Sequence, residues 1–324
     1  MKRDWIPLVL VPAVAVIALP LVGSPSSWVT LTLAGLAMGL MIFIMASGLT
    51  LTFGLMDVLN FGHGAFIAVG AYVAASVMLA MTPWMSADSL WTNLAAVGPA
   101  VLAATVVSGA LGLGFERVIV RPVYGQHLRQ ILVTTGGLIV AEQLLKVIWG
   151  PEQITLSRPP ALRGAFLWGD VAIEKYRLLA VVVGLVVFAV LAVTLNRTRI
   201  GLLIRAGVEN GEMVEALGYR IRRLFVGVFV AGSALAGLGG AMWGLYQETI
   251  TAAIGAQVAV LVFIVIIIGG LGSVGGCFIG ALLVGLTANY VGFIAPKVAL
   301  GSNILLMALV LLWRPQGLFP VARR

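Results

Sequence analysis

The chain has 324 residues, 61% of them hydrophobic and 10% charged, with a mean hydropathy of +1.10; soluble domains carry roughly 25% charge, so two water-facing domains are excluded. One cysteine rules out a disulfide scaffold, the apolar content rules out disorder, and no Gly-X-Y period supports collagen. What remains is an integral membrane protein, whose net charge of +8 is read by where it sits and not as a nucleic-acid surface.

Runs without charge place the spans: 5–56, 58–87, 89–115, 178–196, 224–247, 249–296 and 298–313, with 130–149 interrupted by Glu142 and Lys146. One crossing needs roughly 20 apolar residues. The first run therefore holds two helices parted by Gly23-Ser24-Pro25-Ser26-Ser27, and the run 249–296 holds two parted by the glycine-rich 269–276. The opening run follows Lys2 and Arg3 as a signal peptide would, but Pro25 and the span directly after it favour a retained helix. Ten spans follow, near 5–22, 29–53, 61–82, 95–115, 130–149, 178–196, 224–246, 257–271, 277–295 and 299–313; the eighth and tenth are short, so eight or nine also fit. Continuous apolar runs exclude a transmembrane β-barrel. The expected fold class is an all-α integral membrane protein, one transmembrane domain over 1–324.

Loop charge orients the bundle. With the N-terminus in the cytoplasm, Lys2, Arg3, Arg117, Arg121, Arg129, Arg197, Arg199, Arg205, Arg220, Arg222, Arg223, Arg314, Arg323 and Arg324 fall on the cytoplasmic side. Lys146, Arg158, Arg163, Lys175, Arg177 and Lys297 fall on the other, the bias the positive-inside rule describes. The outer loop 150–177 holds four of those six, nearly balanced by Glu152, Asp170 and Glu174. Single Cys277 lies in an apolar stretch and has no partner for an intramolecular disulfide.

Catalytic chemistry is missing from the sequence. No G-x-x-x-x-G-K-[ST] is present for nucleotide hydrolysis, and His63 and His127 lack metal-ligand spacing. Carriers driven by protons or sodium usually keep several ionisable groups within their spans. Here only Asp57 and Glu248 near span ends, and Glu142 with Lys146 inside the fifth span, are available. That scarcity favours a pore powered by another subunit over a self-sufficient carrier.

Asp57, Asn60 and His63 recur at threes and would form a polar stripe if helical, lining the inner mouth of a pathway; they equally suit a helix start with Asp57 or Asn60 as N-cap. Glu142 and Lys146, at i and i+4, suit an ion pair. Gln143, Glu248 and Asn289 are further groups that could face a cavity. Gly232, Ala236, Gly240 and Gly244 form a small-residue face in the seventh span, for close helix packing or for sliding. The stretch 197–223 has six arginines and three glutamates, with Ile204, Val208, Val214 and Leu217 between them, as in one or two short amphipathic helices.

Four ordered segments resemble the permeases of branched-chain amino-acid ABC importers. They are Gly48-Leu49-Thr50-Leu51-Thr52-Phe53-Gly54 through Asn60-Phe61-Gly62-His63-Gly64-Ala65-Phe66 to Gly70-Ala71-Tyr72; Glu116-Arg117-Val118 with Arg121-Pro122 and Thr134-Thr135-Gly136-Gly137-Leu138; Arg197-Thr198-Arg199-Ile200-Gly201 with Arg205-Ala206 and Ala216-Leu217-Gly218; and Gly269-Gly270-Leu271-Gly272-Ser273 with Arg314-Pro315-Gln316-Gly317-Leu318-Phe319. The Asn-Phe-Gly-His-Gly and Glu-Arg…Arg-Pro segments resemble the H-type subunit more than its M-type partner. The resemblance implies a type II ABC importer-like bundle, akin to the ten-helix vitamin B12 importers. It implies an M-type second permease, two cytoplasmic ATPases and a periplasmic binding protein, in a bacterial inner membrane with both termini cytoplasmic. No cofactor is expected in this chain, since ATP is bound by the partners. Within 197–223 the resemblance implies an ATPase-coupling role for Arg199, Gly201, Arg205, Glu212, Glu215 and Gly218. Glu212 and Gly218 have the family's six-residue spacing, although Met213 and Val214 stand where an Ala pair is usual. Urea, short amides and sugars are alternative substrates within the wider superfamily.

Overall fold

The computed structural model describes residues 6–319; Lys2, Arg3, Arg323 and Arg324 lie outside the described residues. The helices are α1 (Ile6–Val22), α2 (Pro25–Met56), α3 (His63–Ala80), α4 (Thr82–Met85), α5 (Leu90–Phe115), α6 (His127–Trp149), α7 (Lys175–Arg197), α8 (Arg199–Glu209), α9 (Gly211–Ala216), α10 (Ile221–Gln247), α11 (Ile254–Gly269), α12 (Val274–Ile294) and α13 (Ala299–Trp313). Among the described residues, seven helices are long and apolar enough to cross a membrane: α2, α3, α5 with its extension to Val123, α6, α7, α10 and α12. Shorter apolar helices occupy the positions of the first, eighth and tenth expected spans.

Local chemistry sets several helix ends. Ser24 caps α2 by accepting from Ser27 N at 3.2 Å, and Pro25 takes the first turn, where its missing N–H costs nothing. Ser273 caps α12 through Gly276 N at 3.0 Å. Two helices end on residues other than glycine in the left-handed conformation: Asp57 (φ 53°) after α2 and Glu248 (φ 57°) after α10. Beyond α5 the chain widens into a π-helical turn, Glu116–Val120, and then tightens into a 3-10 turn, Arg121–Val123.

The core is built around α2, which packs against α12, α10, α7 and α11, while α10 also seats α3 and α5. Close approach rests on glycine. A Cβ at Gly48 would strike the Gly232 carbonyl, and one at Gly232 would stand 2.6 Å from Gly48 O, so α2 meets α10 backbone to backbone. Thus the 232–244 face is a packing surface: Ala236 is buried and Gly240 is pressed against the Ile67 carbonyl.

Helix ends gather at two faces. At one, Leu318 N donates to Ile268 O and Phe319 N to Gly269 O, tying the end of α13 to that of α11; Leu51, Ile204 and Val228 join α2, α8 and α10. At the other, β1 (Ile154–Thr155) pairs antiparallel with β4 (Thr249–Ile250), and β2 (Ala165–Trp168) forms a hairpin with β3 (Val171–Glu174). Buried Asn93 donates to the Trp84 and Ala87 carbonyls and accepts from Ala161 N, closing that face.

Candidate functional site

Thr198 breaks away from α7 and caps α8, accepting from Gly201 N at 3.4 Å. A side chain at Gly201 would collide with the Leu195 carbonyl, so the turn folds only with glycine there. Asn210 ends α8 and begins α9, accepting from Met213 N at 2.9 Å. Gly218 (φ 87°) then terminates α9, with Tyr219 N reaching back to Val214 O at 3.2 Å. The apolar face expected from Ile204, Val208, Val214 and Leu217 is divided: Ile204 and Val214 are buried, whereas Val208 and Leu217 are exposed. The cap at Asn210 resets the helical phase, which a single amphipathic helix does not allow. Outward remain Met213, Leu217 and Tyr219, flanked by exposed Arg199, Arg205, Glu212 and Glu215. The result is a segment that exposes apolar side chains together with charges of both signs.

The expected Asp57-Asn60-His63 helical stripe is not formed. Helix α2 stops at Met56, the chain turns left-handed at Asp57, and α3 begins only at His63. Asp57 caps a C-terminus instead of an N-terminus and points outward, its Oδ2 3.7 Å from His127 Nε2 with both side chains half exposed. Asn60 and His63 turn inward and are buried. His63 Nε2 lies 2.9 Å from the Met45 carbonyl, which places the proton on that nitrogen.

Two α6 side chains clamp this loop. Leu59 N donates to Gln130 Oε1 at 3.2 Å and Phe61 N to Thr134 Oγ1 at 3.1 Å, while Gln130 Nε2 donates to the Val123 carbonyl. Glu116 in the π-helical turn is fully buried, accepting from Tyr124 Oη at 2.6 Å. Burial pushes the Tyr124 phenol well above its ordinary range, the Glu116 carboxylate raises it further, and Arg121 opposes them. Gln130, Glu116 and Tyr124 thus define the loop between α2 and α3 and the α5–α6 corner. Of these, sequence reasoning registered only Glu116, as part of a motif and not as a buried acid.

Glu142 and Lys146 form the expected pair at 2.8 Å, on a helix whose surface is largely uncovered, with Gln143 exposed beside them. Glu248 sits at the opposite face, bound to Arg158 Nε at 2.8 Å. Arg158 is a hub there: it reaches Glu174 at 3.3 Å, donates to the Leu245 and Tyr246 carbonyls, and lies over the Tyr176 and Tyr246 rings. Asn289 turns back on its own helix, donating to Gly285 O at 2.9 Å. The candidate pathway residues are therefore spread over both faces and the α6 surface. None of them lines the groove between α3, α5 and α6. Among the described residues, no group of three or more His, Cys, Asp or Glu is placed to hold a metal ion.

Comparison with known proteins fits this picture. Residues 31–313 match the family model described as branched-chain amino acid transport system / permease component. The chain is 30% identical over 296 residues to the high-affinity branched-chain amino acid transport system permease protein BraD of Pseudomonas aeruginosa, covering 88% of this chain and 93% of that one. It is 26% identical over 291 residues to the corresponding protein LivH of Escherichia coli K12, covering 88% and 92%. With LivM of Escherichia coli K12 the identity is 28% over 303 residues, covering 86% and 68%. No solved structure gives a significant match.

Proposed function

From the fact that this chain belongs to the branched-chain amino acid transport system permease family, we propose that it is the H-type pore subunit of an ATP-driven importer of branched-chain amino acids. The observation that carries the reading is the family match over 31–313 together with near full-length coverage of the H-type relatives. The chain is a multi-pass membrane permease and not an enzyme. It crosses the bacterial inner membrane ten times as one domain, with both termini cytoplasmic. Supporting this orientation, Arg117, Arg121, Arg129, Arg197, Arg199, Arg205, Arg220, Arg222, Arg223 and Arg314 all lie at the face where α2 ends.

In this reading an M-type permease completes the pore, and two ATPases bind the cytoplasmic face. A periplasmic binding protein delivers substrate and supplies most of its recognition. Residues 197–223 are the coupling element: the Met213, Leu217 and Tyr219 knuckle enters the ATPase, and Ile204 relays its displacement to α2 and α10 through Leu51 and Val228. Glu142, Gln143 and Lys146 face the second permease across the pathway, while Asp57, Asn60 and His63 organise its inner mouth. Glu248 and Asn289 complete the polar set that the pathway draws on.

Reconstitution of the purified complex in proteoliposomes tests this. Leucine uptake should require ATP, the binding protein and this chain, and the E212K/E215K variant should lose transport-coupled ATP hydrolysis. Uptake by this chain alone without ATP would overturn the pore-subunit reading, and normal transport by the charge-reversed variant would overturn the coupling assignment.

A further inference from the structure

Between α3, α5 and α6 lies a groove of about 910 Å³, walled by Val69, Leu111, Val118, Pro122 and Val140 and closed at one end by Trp149. No charged side chain lines it. It is separate from the polar side of α6: Val133, Gly137, Val140 and Leu144 recur at fours and threes on the groove side, whereas Glu142, Gln143 and Lys146 fall on the other. Gly114 lines the groove without filling it, and a Cβ there would meet nothing within 4 Å.

At the other end of the groove, the lining residues adjoin arginines in sequence. Arg117 and Arg121 flank the lining residues Val118 and Pro122, and Arg129 stands one helical turn before Val133. All three are exposed, and among the described residues no carboxylate lies within ion-pair distance of them. Glu116, the nearest acid in sequence, is buried against Tyr124 and does not neutralise them.

We propose that this groove binds an anionic phospholipid, its acyl chains lying against the α3–α5–α6 walls and its phosphate held by Arg117, Arg121 and Arg129. Guanidinium groups match phosphate oxygens bidentately. Basic pockets between spans at the cytoplasmic side are where anionic headgroups are available. An uncharged groove ending in three unneutralised cations fits an amphiphile with an anionic head better than it fits a neutral lipid or a polar helix. The inference rests on residence in a bilayer and not on the substrate or ATPase reading. A lipid there braces the α5–α6 corner, whose other side clamps the loop after α2.

Native mass spectrometry of the full-length chain, co-purified with its partner subunits, tests this. Micelles would contain phosphatidylglycerol or phosphatidylcholine, and retained phospholipid would be counted per complex. Phosphatidylglycerol should be retained at least ten-fold over phosphatidylcholine. One Arg→Gln change should weaken retention roughly five-fold, and R117Q/R121Q/R129Q should abolish the preference. The groove-filling A141W should lower retention of both lipids with the charges intact. Equal retention of the two lipids, or an unchanged preference in the triple variant, would overturn the proposal. Because native Cys277 is buried, a thiol introduced as V140C tests whether another chain packs in the groove. It should form no cross-link to another chain, and a cross-link to a permease subunit would assign the groove to subunit packing and overturn the proposal.

Discussion

The contact between α2 and α10 gives the sharpest test of how this bundle is held. Gly232→Ala places a methyl 2.6 Å from Gly48 O and 3.1 Å from Thr52 Cγ2, where ordinary contact begins at 3.4 Å. The obstructing atom is backbone inside a fully packed helix, so it cannot rotate away, and the helices must part by the better part of an ångström. Overpacking of this kind costs about 1–3 kcal/mol, occasionally more. Replacing a helical glycine by alanine returns about 0.5–1 kcal/mol of backbone entropy. The net loss should be about 0–2.5 kcal/mol. Gly227→Ala on the same helix isolates the steric part, because a Cβ there meets nothing within 4 Å, and it should be neutral or stabilising by up to about 1 kcal/mol. Thermal unfolding of both variants in one detergent, followed by helicity, reads the difference directly. Melting temperatures that coincide would refute backbone-to-backbone packing of α2 on α10.

Three further outcomes follow from the same structure. Thr134→Val removes the acceptor for Phe61 N and should destabilise by about 1–3 kcal/mol, with Thr134→Ser recovering most of it in the same melt. The raised Tyr124 phenol contributes stability that is fully present below the free phenol's pKa, about 10, and is lost as pH rises toward the folded value. Wild type should therefore weaken on the alkaline side of that point, while Tyr124→Phe is less stable at neutral pH and shows a flatter alkaline limb. Arg158→Ala releases Glu174 and Glu248 together; since those carboxylates are more than a third exposed, the loss should be about 1–2 kcal/mol. Arg158→Lys should recover less than half, as it lacks the fork that spans both acids and the two carbonyls.

The apolar runs made the long helices legible because a bilayer imposes one constraint, a continuous uncharged length, that composition reveals directly. Helix α7 appears within three residues of the expected 178–196 at its start and within one at its end. Loop structure was less legible, since it depends on partners distant in sequence. Nothing local shows that Gln130 and Thr134 will clamp the 57–62 loop, or that β1 will pair with β4 about 95 positions further on. Asp57 misled for a definite reason. Aspartate suits an N-cap, but its short polar side chain also tolerates the left-handed conformation that ends α2 here. Arg158, one of the four basic residues of the outer loop, is the residue that bolts that loop to the end of α10.

Two of the segments that carried the family resemblance, the first and the last, converge on one element, short α11. Gly255 near its start lies against the Gly64 carbonyl, so that α3 touches it backbone to backbone. Phe263 in its middle stacks on Phe61 with ring centroids 4.6 Å apart. Gly269 at its end presses on Gly276 of α12, and the carbonyls of Ile268 and Gly269 receive Leu318 N and Phe319 N from the chain's last described turn. Gly270 and Gly317 meet beside that junction, and Gly54 meets Gly272 just beyond it. Gly54, Gly64, Gly269, Gly270, Gly272 and Gly317 belong to those motifs, and what these six share is a bare backbone surface and not a chemical group. Helix α11 carries only one strongly polar side chain, Gln257, so it offers a ligand little to recognise. A span too short to be fixed by its own length is instead fixed by contacts at both ends, and those contacts demand glycine. The glycines of those two segments are therefore best understood as the means of docking α11 between α3, α12 and the C-terminal turn. Replacing them should disturb assembly of the pore before it disturbs which molecule passes.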